Sequence, residues 1–373
     1  MMDSINTSPA MPAPSAGMLQ FAKSQRVRLF SKGQAIAALL GLLAACAFPF
    51  IAAALDQAFY VSFATRVMIY VIAVSSLNLL VGYAGLISFG HAAYLGVGAY
   101  SIGAITLMAG NVLPQWANYA WFSWPFAMLV CAALAAGIGA LALRTRTVYF
   151  IMVTLAFSQM LYYLFNGMNT FGSDNGMSLP SKSTLGFGLD LANDNTFYYV
   201  VLLLATITLV LLAMVVQSRF GVVVRGICEN ESRMAAIGVP VYRYKLVCFI
   251  LGGAFAGLAG ALLVNQSSFV SPRVLDWIQS GTLLMMLILG GVGYRCGGIY
   301  GTVFLLVLEE VLASHTEYWQ FFVGIGLIVI VLLGNNGIAS MFDQLLALFS
   351  RKKNLAEAPH QEPLKQEAEG AKP

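Results

Sequence analysis

Long apolar runs separated by short polar segments dominate the chain between residues 34 and 333. Most of these runs approach or exceed the roughly 20 residues that an α-helix needs to cross a bilayer. They are continuous, without the alternation of apolar and polar residues that marks the strands of a membrane barrel. The pattern predicts an all-α integral membrane protein of about ten transmembrane helices, at residues 34–55, 61–81, within 78–108, and at 121–143, 148–165, 197–216, 246–265, 280–292, 299–312 and 318–333.

The composition excludes a water-soluble domain. Of the 373 residues, 59% are hydrophobic and only 10% are charged, whereas soluble domains have about 45–50% apolar and about 25% charged residues. The five cysteines are scattered singly and the three histidines lie far apart, so neither a disulfide framework nor a metal site is predicted. Catalytic groupings such as Ser/His/Asp or paired carboxylates are not found near a membrane cavity. The sequence therefore does not favour an enzyme.

A nucleotide-binding sequence of the form Gly-x-x-x-x-Gly-Lys-Ser/Thr, whose backbone would hold phosphates, does not occur in the chain. We therefore expect no cofactor to be bound by this chain. If ATP drives its activity, the ATP must be bound by a partner subunit.

Basic residues sort to one side of the predicted topology. With both termini in the cytoplasm, only Arg66, Lys182 and Arg273 of the 20 Lys and Arg residues fall at or toward the outer side. Such a bias is typical of cytoplasmic loops. The predicted regions are a cytoplasmic N-terminal extension at 1–33, a transmembrane domain at 34–345 and a cytoplasmic C-terminal tail at 346–373, with both extensions disordered.

The longest polar block in the middle of the chain is residues 217–245, which this topology places in the cytoplasm. A short helix is predicted from Asn230 to Ile237, because Asn230 can cap it, Gly238 can close it and Pro240 cannot continue it. Two turns are far too short to cross a bilayer. We expect the helix to lie against the membrane and to present its polar face to a partner.

Glu229 and Arg233 flank the start of this predicted helix. They are four residues apart with the acid first, the order that favours an ion pair on one helix face. The alternative interpretation of the whole block is an ordinary solvated loop between two membrane helices.

A second unusual stretch, Gly85-Leu86-Ile87-Ser88-Phe89-Gly90-His91, precedes the third span. It places two glycines, a hydroxyl, an aromatic ring and an imidazole within seven residues. Polar side chains are expensive inside a bilayer and usually face a cavity, which favours a broken or re-entrant segment that lines a path. Close packing of helices without any ligand would explain the glycines equally simply.

Two features of the second half have further interpretations. Gly281 and the run 290–294 are either the counterpart of the first glycine stretch or a tight turn between spans. Glu309 and Glu310 lie near the outer end of the ninth span, where an interfacial position is favoured over a proton relay because no basic partner is evident. Arg66 is expected to extend outward from the start of the second span.

Two stretches resemble a known family. GYAGLISFGHAAYLGVGAY at 82–100 is similar to the GYxGxxSxGHAxxxGxGAY stretch of branched-chain amino acid permeases. Glu229, Ala235-Ala236 and Gly238 resemble the cytoplasmic coupling loop of ABC importer permeases, in which a short helix docks into a cleft on the ATPase. The Glu-Ala-Ala run is spread out here, as is usual in the branched-chain subgroup, and RYKLVCFILGGAFAGLAGAL at 243–262 is similar to that subgroup.

The resemblance covers nearly all of residues 60–345 and implies a LivM-type permease of a branched-chain amino acid ABC importer in the bacterial inner membrane. In that family a second homologous permease completes a heterodimer in the lipid bilayer, ABC ATPase subunits dock beneath it, and a periplasmic binding protein delivers leucine, isoleucine or valine. Nucleic acid is not an expected partner. The alternatives are the same architecture importing urea, amides or aromatic acids, and a stand-alone ion-coupled secondary transporter.

The candidate site residues form two groups, and none is assigned a catalytic, cofactor-binding or metal-binding role. Those for coupling to the ATPase are Glu229, Arg233, Ala235, Ala236 and Gly238. Those for the substrate path are Gly85, Ser88, Phe89, Gly90 and His91.

Overall fold

The computed structural model describes residues 41–50, 52, 58–108, 114–145, 147–180, 182–185, 191 and 193–333. The predicted extensions at 1–33 and 346–373 lie outside these residues, and so does the start of the first predicted span.

Helices form most of the described chain, which confirms the predicted all-α membrane fold. A two-residue strand, β1 (Met177–Ser178), pairs antiparallel with β2 (Phe269–Val270). The α-helices are α1 (Gly41–Phe50), α2 (Ala58–Asn78), α3 (His91–Met108), α4 (Ala120–Ala142), α5 (Thr147–Gly167), α6 (Asp194–Gln217), α7 (Arg219–Glu229), α8 (Glu231–Ala236), α9 (Val241–Ser267), α10 (Trp277–Gly290), α11 (Gly297–Ala313) and α12 (Trp319–Leu333).

Five stretches among the described residues are long and apolar enough to cross a membrane: Phe59–Tyr83, Ala120–Ala142, Val148–Gly167, Asp194–Gln217 and Val241–Ser267. They coincide with the second, fourth, fifth, sixth and seventh predicted spans. The helices α3, α10, α11 and α12 are shorter, with 18, 14, 17 and 15 residues. The chain is a multi-pass membrane protein, and the number of ten spans stays a prediction.

The helix α9 lies at the centre of the core, where it packs against α2, α3 and α4. Small residues allow this contact. A Cβ atom added to Gly98 of α3 would overlap the main chain of Gly257 in α9, and one added to Gly260 would overlap the carbonyl oxygen of Leu95. Without a hydrophobic driving force in lipid, such close backbone approach supplies the packing energy.

The glycines between α10 and α11 serve packing and turning. A Cβ atom on Gly301 would overlap the carbonyl oxygen of Met286, so the two helices are in backbone contact. Gly291 and Gly293 adopt φ angles of 107° and 80° in the connecting turn. Asn78 at the end of α2 holds that turn, because its side-chain oxygen accepts from the Gly293 amide at 3.0 Å. These contacts favour the tight-turn interpretation of the run 290–294.

The loop between α5 and α6, which the predicted topology places outside, is tied to α9 and α4; we call its described residues 168–180 and 182–185 the outer loop. Beyond the β1–β2 pair, the Leu179 amide donates to the carbonyl oxygen of Ser268 at 2.9 Å. The Ser183 amide donates to the buried side-chain oxygen of Asn265 at 2.9 Å. The outer loop is therefore an ordered part of the fold.

Glu309 has one basic side chain in its neighbourhood, although no ion pair joins the two among the described residues. The helices α2 and α11 pack together, and Arg66 lies close enough to Glu309 for their charges to interact. The Arg66 side chain is exposed as expected, with its guanidinium carbon 5.8 Å from the centre of the Tyr70 ring.

Candidate functional site

The helical path breaks between α2 and α3. A π-helical turn, Leu79–Tyr83, follows α2 directly, and such turns occur frequently at functional sites. Gly85 then adopts φ +68°, a conformation that glycine reaches without steric cost. The chain stays non-helical until α3 begins at His91. This confirms the predicted glycine-broken geometry, and residues 84–90 are called the broken segment below.

The broken segment runs from the protein surface into the helix bundle. Gly85 is exposed and faces Cys228 of α7. At the other end, a Cβ atom on Gly90 would lie only 2.9 Å from the carbonyl oxygen of Thr154. Thr154 lies two turns into α5, about 10 Å from its start. The segment therefore re-enters the bundle from the side that carries α7 and α8.

The structure places the five predicted path residues at different depths. Ser88 and His91 are 1% and 0% exposed. Gly90 is buried, Phe89 is half-buried and Gly85 is exposed. Ser88, Gly90 and His91 thus come together inside the bundle, whereas Gly85 belongs to the surface contact with α7.

His91 is held by a defined hydrogen-bond network. Its Nε2 lies 2.9 Å from the hydroxyl oxygen of Ser76 in α2. That hydroxyl donates to the carbonyl oxygen of Ala73 at 2.7 Å, so Nε2–H is the donor to Ser76. The remaining nitrogen, Nδ1, is an acceptor, and it is buried without a partner among the described residues. Buried acceptors are normally satisfied, which makes Nδ1 a candidate contact for a bound molecule.

Two further hydroxyls position the end of the broken segment. The Ser88 hydroxyl oxygen accepts from the Gly90 amide at 3.2 Å. Ser280 of α10 accepts from the Ala92 amide at 3.0 Å and so caps the first turn of α3. Sequence reasoning missed Ser76 and Ser280, whose only signal is a hydroxyl inside an apolar run.

The arrangement offers neutral donors and acceptors. From Ala84 to His91 the chain carries hydroxyl, imidazole and main-chain groups and no formally charged side chain. The described part of the chain has no group of three or more His, Cys, Asp or Glu residues that could hold a metal ion. The site can therefore bind through hydrogen bonds and apolar contact.

The predicted cytoplasmic helix is present as α8, and its two ends are built as expected. The side-chain oxygen of Asn230 accepts from the Arg233 amide at 2.9 Å, which caps the first turn. Gly238 follows the helix with φ +86°. The amide of Gly238 donates to the carbonyl oxygen of Ala235 at 3.0 Å. Pro240 then precedes α9.

The expected pairing of Glu229 with Arg233 on one helix is wrong. Glu229 ends α7, and Arg233 belongs to α8. Between them Asn230 is extended, with φ −157° and ψ 98°, so the two side chains do not share a helix face. The ion pair of this region joins Glu231 to Lys245 of α9, with 2.6 Å between carboxylate oxygen and ammonium nitrogen.

Residues 219–229, expected to be part of a water-exposed loop, form the amphipathic helix α7. Gly221, Val224 and Ile227 are buried on one face, at the spacing of successive helical turns. Ser218 caps its start, with its hydroxyl oxygen accepting from the Gly221 amide.

The helix α8 is a protruding surface. None of its residues, all of which are described, is buried, and Arg233, Ala235 and Ala236 are exposed. Met234 is half-buried against Gly226 of α7. Ile237, which follows the helix, is 69% exposed. Sequence reasoning did not single out Ile237, although an apolar residue beside a closing glycine was its signal.

Sequence comparison with known proteins finds relatives over most of the chain. The family model described as "Branched-chain amino acid transport system / permease component" matches residues 59–332. The branched-chain amino acid permease proteins LivM of Salmonella typhimurium LT2 and Escherichia coli K12 are each 30% identical over 297 residues, covering 73% of this chain and 68% of theirs. LivH of Salmonella typhimurium is 24% identical over 265 residues, covering 68% and 84%. No solved structure matches.

The match covers the broken segment, α7, α8 and the helices that surround them. The LivM-type resemblance of the sequence is thereby confirmed over most of the chain. The chain belongs to the family of permease components of branched-chain amino acid transport systems.

Proposed function

We propose that this chain is a permease subunit of an ABC importer and forms part of the path for leucine, isoleucine and valine across the inner membrane. The relatives named as high-affinity branched-chain amino acid permeases support the cargo. ATP hydrolysis takes place in a separate subunit, and this chain itself is not an ATPase. It pairs with a second, homologous permease, for which the similarity to both LivM and LivH is the support.

The observation that carries this proposal is the exposed helix α8. Ala235 and Ala236 present small side chains that let a partner approach closely, and Ile237 adds an apolar side chain that water covers in the single chain. A capped helix that exposes an apolar side chain is typical of surfaces that bind a partner protein. Arg233 and the neighbouring Glu229 supply charges for the rim of the contact. An ATPase subunit is the proposed occupant.

The broken segment is the proposed contribution of this chain to the path. Ser88, Phe89, Gly90 and His91 lie at or near its inner end. The acceptor Nδ1 of His91 has no partner in the part of the chain that the structure describes, which supports a ligand with a hydrogen-bond donor. An amino acid has such a donor in its ammonium group. Gly85 contributes at the cytoplasmic end. A periplasmic binding protein delivers the amino acid from the outside.

The test is transport by the reconstituted complex. The chain is placed in proteoliposomes with its second permease and its ATPase, and uptake of radiolabelled leucine, isoleucine and valine is measured with the binding protein present. We expect uptake that requires ATP and is unaffected by collapsing ion gradients. Uptake driven by an ion gradient without ATP would contradict the proposal, and uptake of urea or amides in place of the three amino acids would contradict the cargo.

A further inference from the structure

The helix α7 contacts the base of the broken segment at two separate points. The guanidinium carbon of Arg225 lies 5.7 Å from the centre of the Tyr83 ring. Three residues further along α7, Cys228 faces Gly85, where an added Cβ atom would lie 2.9 Å from Sγ and 3.8 Å from Cβ of Cys228. Tyr83 ends the π-helical turn and Gly85 is the second residue of the broken segment. Both contacts therefore fall where the helix breaks.

The helix α7 is also the support on which α8 rests. The half-buried Met234 packs on Gly226, where an added Cβ atom would lie 3.0 Å from the Met234 sulfur. Only Asn230 separates the two helices. A displacement of α8 is therefore passed to α7 through a side-chain contact and through a one-residue link.

The guanidinium group of Arg225 has one nitrogen in a short hydrogen bond and another that is buried without one in the described part of the chain. Its Nη2 donates to the carbonyl oxygen of Val216, at the end of α6, at 2.7 Å. Its Nε is buried without a partner among the described residues. An unpaired buried donor opposes stability. The contact of Arg225 with Tyr83 is therefore not fully stabilised in this conformation, as is expected of a contact that breaks and re-forms.

We propose that Arg225 and Cys228 form a latch by which α7 holds the broken segment, and that displacement of α8 opens this latch during each transport cycle. This inference rests on the proposed function, because it takes the docked ATPase as the source of the displacement. Arg225 and Cys228 are positioning residues. They act on the path through Tyr83 and Gly85 and do not touch the transported amino acid.

A disulfide tests the latch directly. In a Gly85→Cys variant the Cβ atom of residue 85 lies 3.8 Å from that of Cys228, which is about the mean separation in disulfides of ~3.8 Å. Cys46 and Cys296 are replaced by Ser in the background, because neither is buried. Gly85→Ser in the same background is the matched control, since it carries the same positive φ and a similar volume without a second thiol.

Leucine uptake by the reconstituted complex is measured before oxidation, after oxidation and after reduction with dithiothreitol. We expect oxidation of Gly85→Cys to lower uptake by about tenfold, within the range for coupled sites, and reduction to restore it. Gly85→Ser should be unaffected by the oxidant. Unchanged uptake by the disulfide-bonded protein overturns the latch. If Gly85→Cys assembles and imports leucine before oxidation, failure of the bond to form also overturns the latch, because the contact itself would then be absent.

A second variant covers the case in which residue 85 tolerates no side chain. Arg225→Gln should retain ATP hydrolysis but raise the ATP consumed per leucine imported by about fivefold, whereas Arg225→Lys, which keeps a cation over Tyr83, should restore the native ratio. An unchanged ratio in Arg225→Gln overturns the latch. If the native complex itself imports no branched-chain amino acid with ATP, the proposed function fails instead.

Discussion

Replacement of Gly238 tests whether α8 is a docking site. Gly238 has φ +86°, and a Cβ atom added there meets no atom of the described residues within 4 Å. A side chain at this position therefore adds backbone strain of about 1–2 kcal/mol, and its Cβ atom collides with no described residue. Gly238→Ala and Gly238→Trp share this strain and differ in the bulk beyond Cβ, at a position that is exposed. Comparing the two isolates the effect on a partner.

The expected loss of affinity for the ATPase is calculated from the exposed side chain of Ile237. Ile237 is 69% exposed, and burying an isoleucine side chain fully contributes about 1.5–3 kcal/mol. An indole beside it holds the partner away and removes most of this contribution. The expected loss in affinity for the ATPase is about 10- to 100-fold for Gly238→Trp. Gly238→Ala should retain native affinity.

The assay is co-purification of the ATPase with each permease variant, together with substrate-stimulated ATP hydrolysis by the reconstituted complex. Thermal unfolding of the isolated permease is the control, and both variants should lower its Tm equally. Native co-purification and native stimulation with Gly238→Trp would refute the docking role of α8. Equal losses for both variants would also refute it, because the strain and not the bulk would then be responsible.

Three further outcomes are expected. His91→Phe removes the donor to Ser76 and should destabilise the protein by about 1–3 kcal/mol, seen as a lower Tm in detergent; an unchanged Tm would contradict the network. Gly98→Ala forces α3 away from α9 and should lower the free energy of unfolding by about 1–3 kcal/mol. Gly281→Ala, with open space around the added Cβ, should leave it unchanged or raise it by up to about 1 kcal/mol. The opposite order of stabilities would contradict the packing. In a background without other reactive cysteines, Asn175→Cys should react with a membrane-impermeant thiol reagent from outside and a cysteine on α8 should not, and the reverse pattern would contradict the topology.

The features predicted correctly from sequence depend on neighbours along the chain. Asn230 caps α8 and Gly238 follows it in the left-handed region because both roles are set by local backbone geometry. The ion pair of Glu229 with Arg233 was mispredicted because the four-residue spacing applies within one helix, and the capping Asn230 leaves Glu229 outside the helix that holds Arg233. The helix α7 was missed because Arg225 and its charged neighbours resemble loop composition, although their apolar partners recur at helical spacing.

The candidate site could likewise be predicted from the sequence only where its features depend on neighbouring residues. The glycines and polar residues from Gly85 to His91 predict a break, and the break is there. Its stabilising contacts are tertiary: Ser76 lies 15 residues before His91, and Ser280 lies 188 residues after Ala92. No periodicity or spacing in the sequence connects such positions. The pairing of α2 with α11, which brings Arg66 to Glu309, was missed for the same reason.

The anchoring of the outer loop has a consequence for the association rate of any protein that binds there. Fixing a backbone residue costs about 1–2 kcal/mol of conformational entropy, and the contacts from β1 to β2 and from Ser183 to Asn265 have already met that cost during folding. A protein that binds the described part of the outer loop meets a surface that is already formed. Encounter can then proceed as rigid-body docking, with an association rate set by diffusion and orientation and not by rearrangement of the permease.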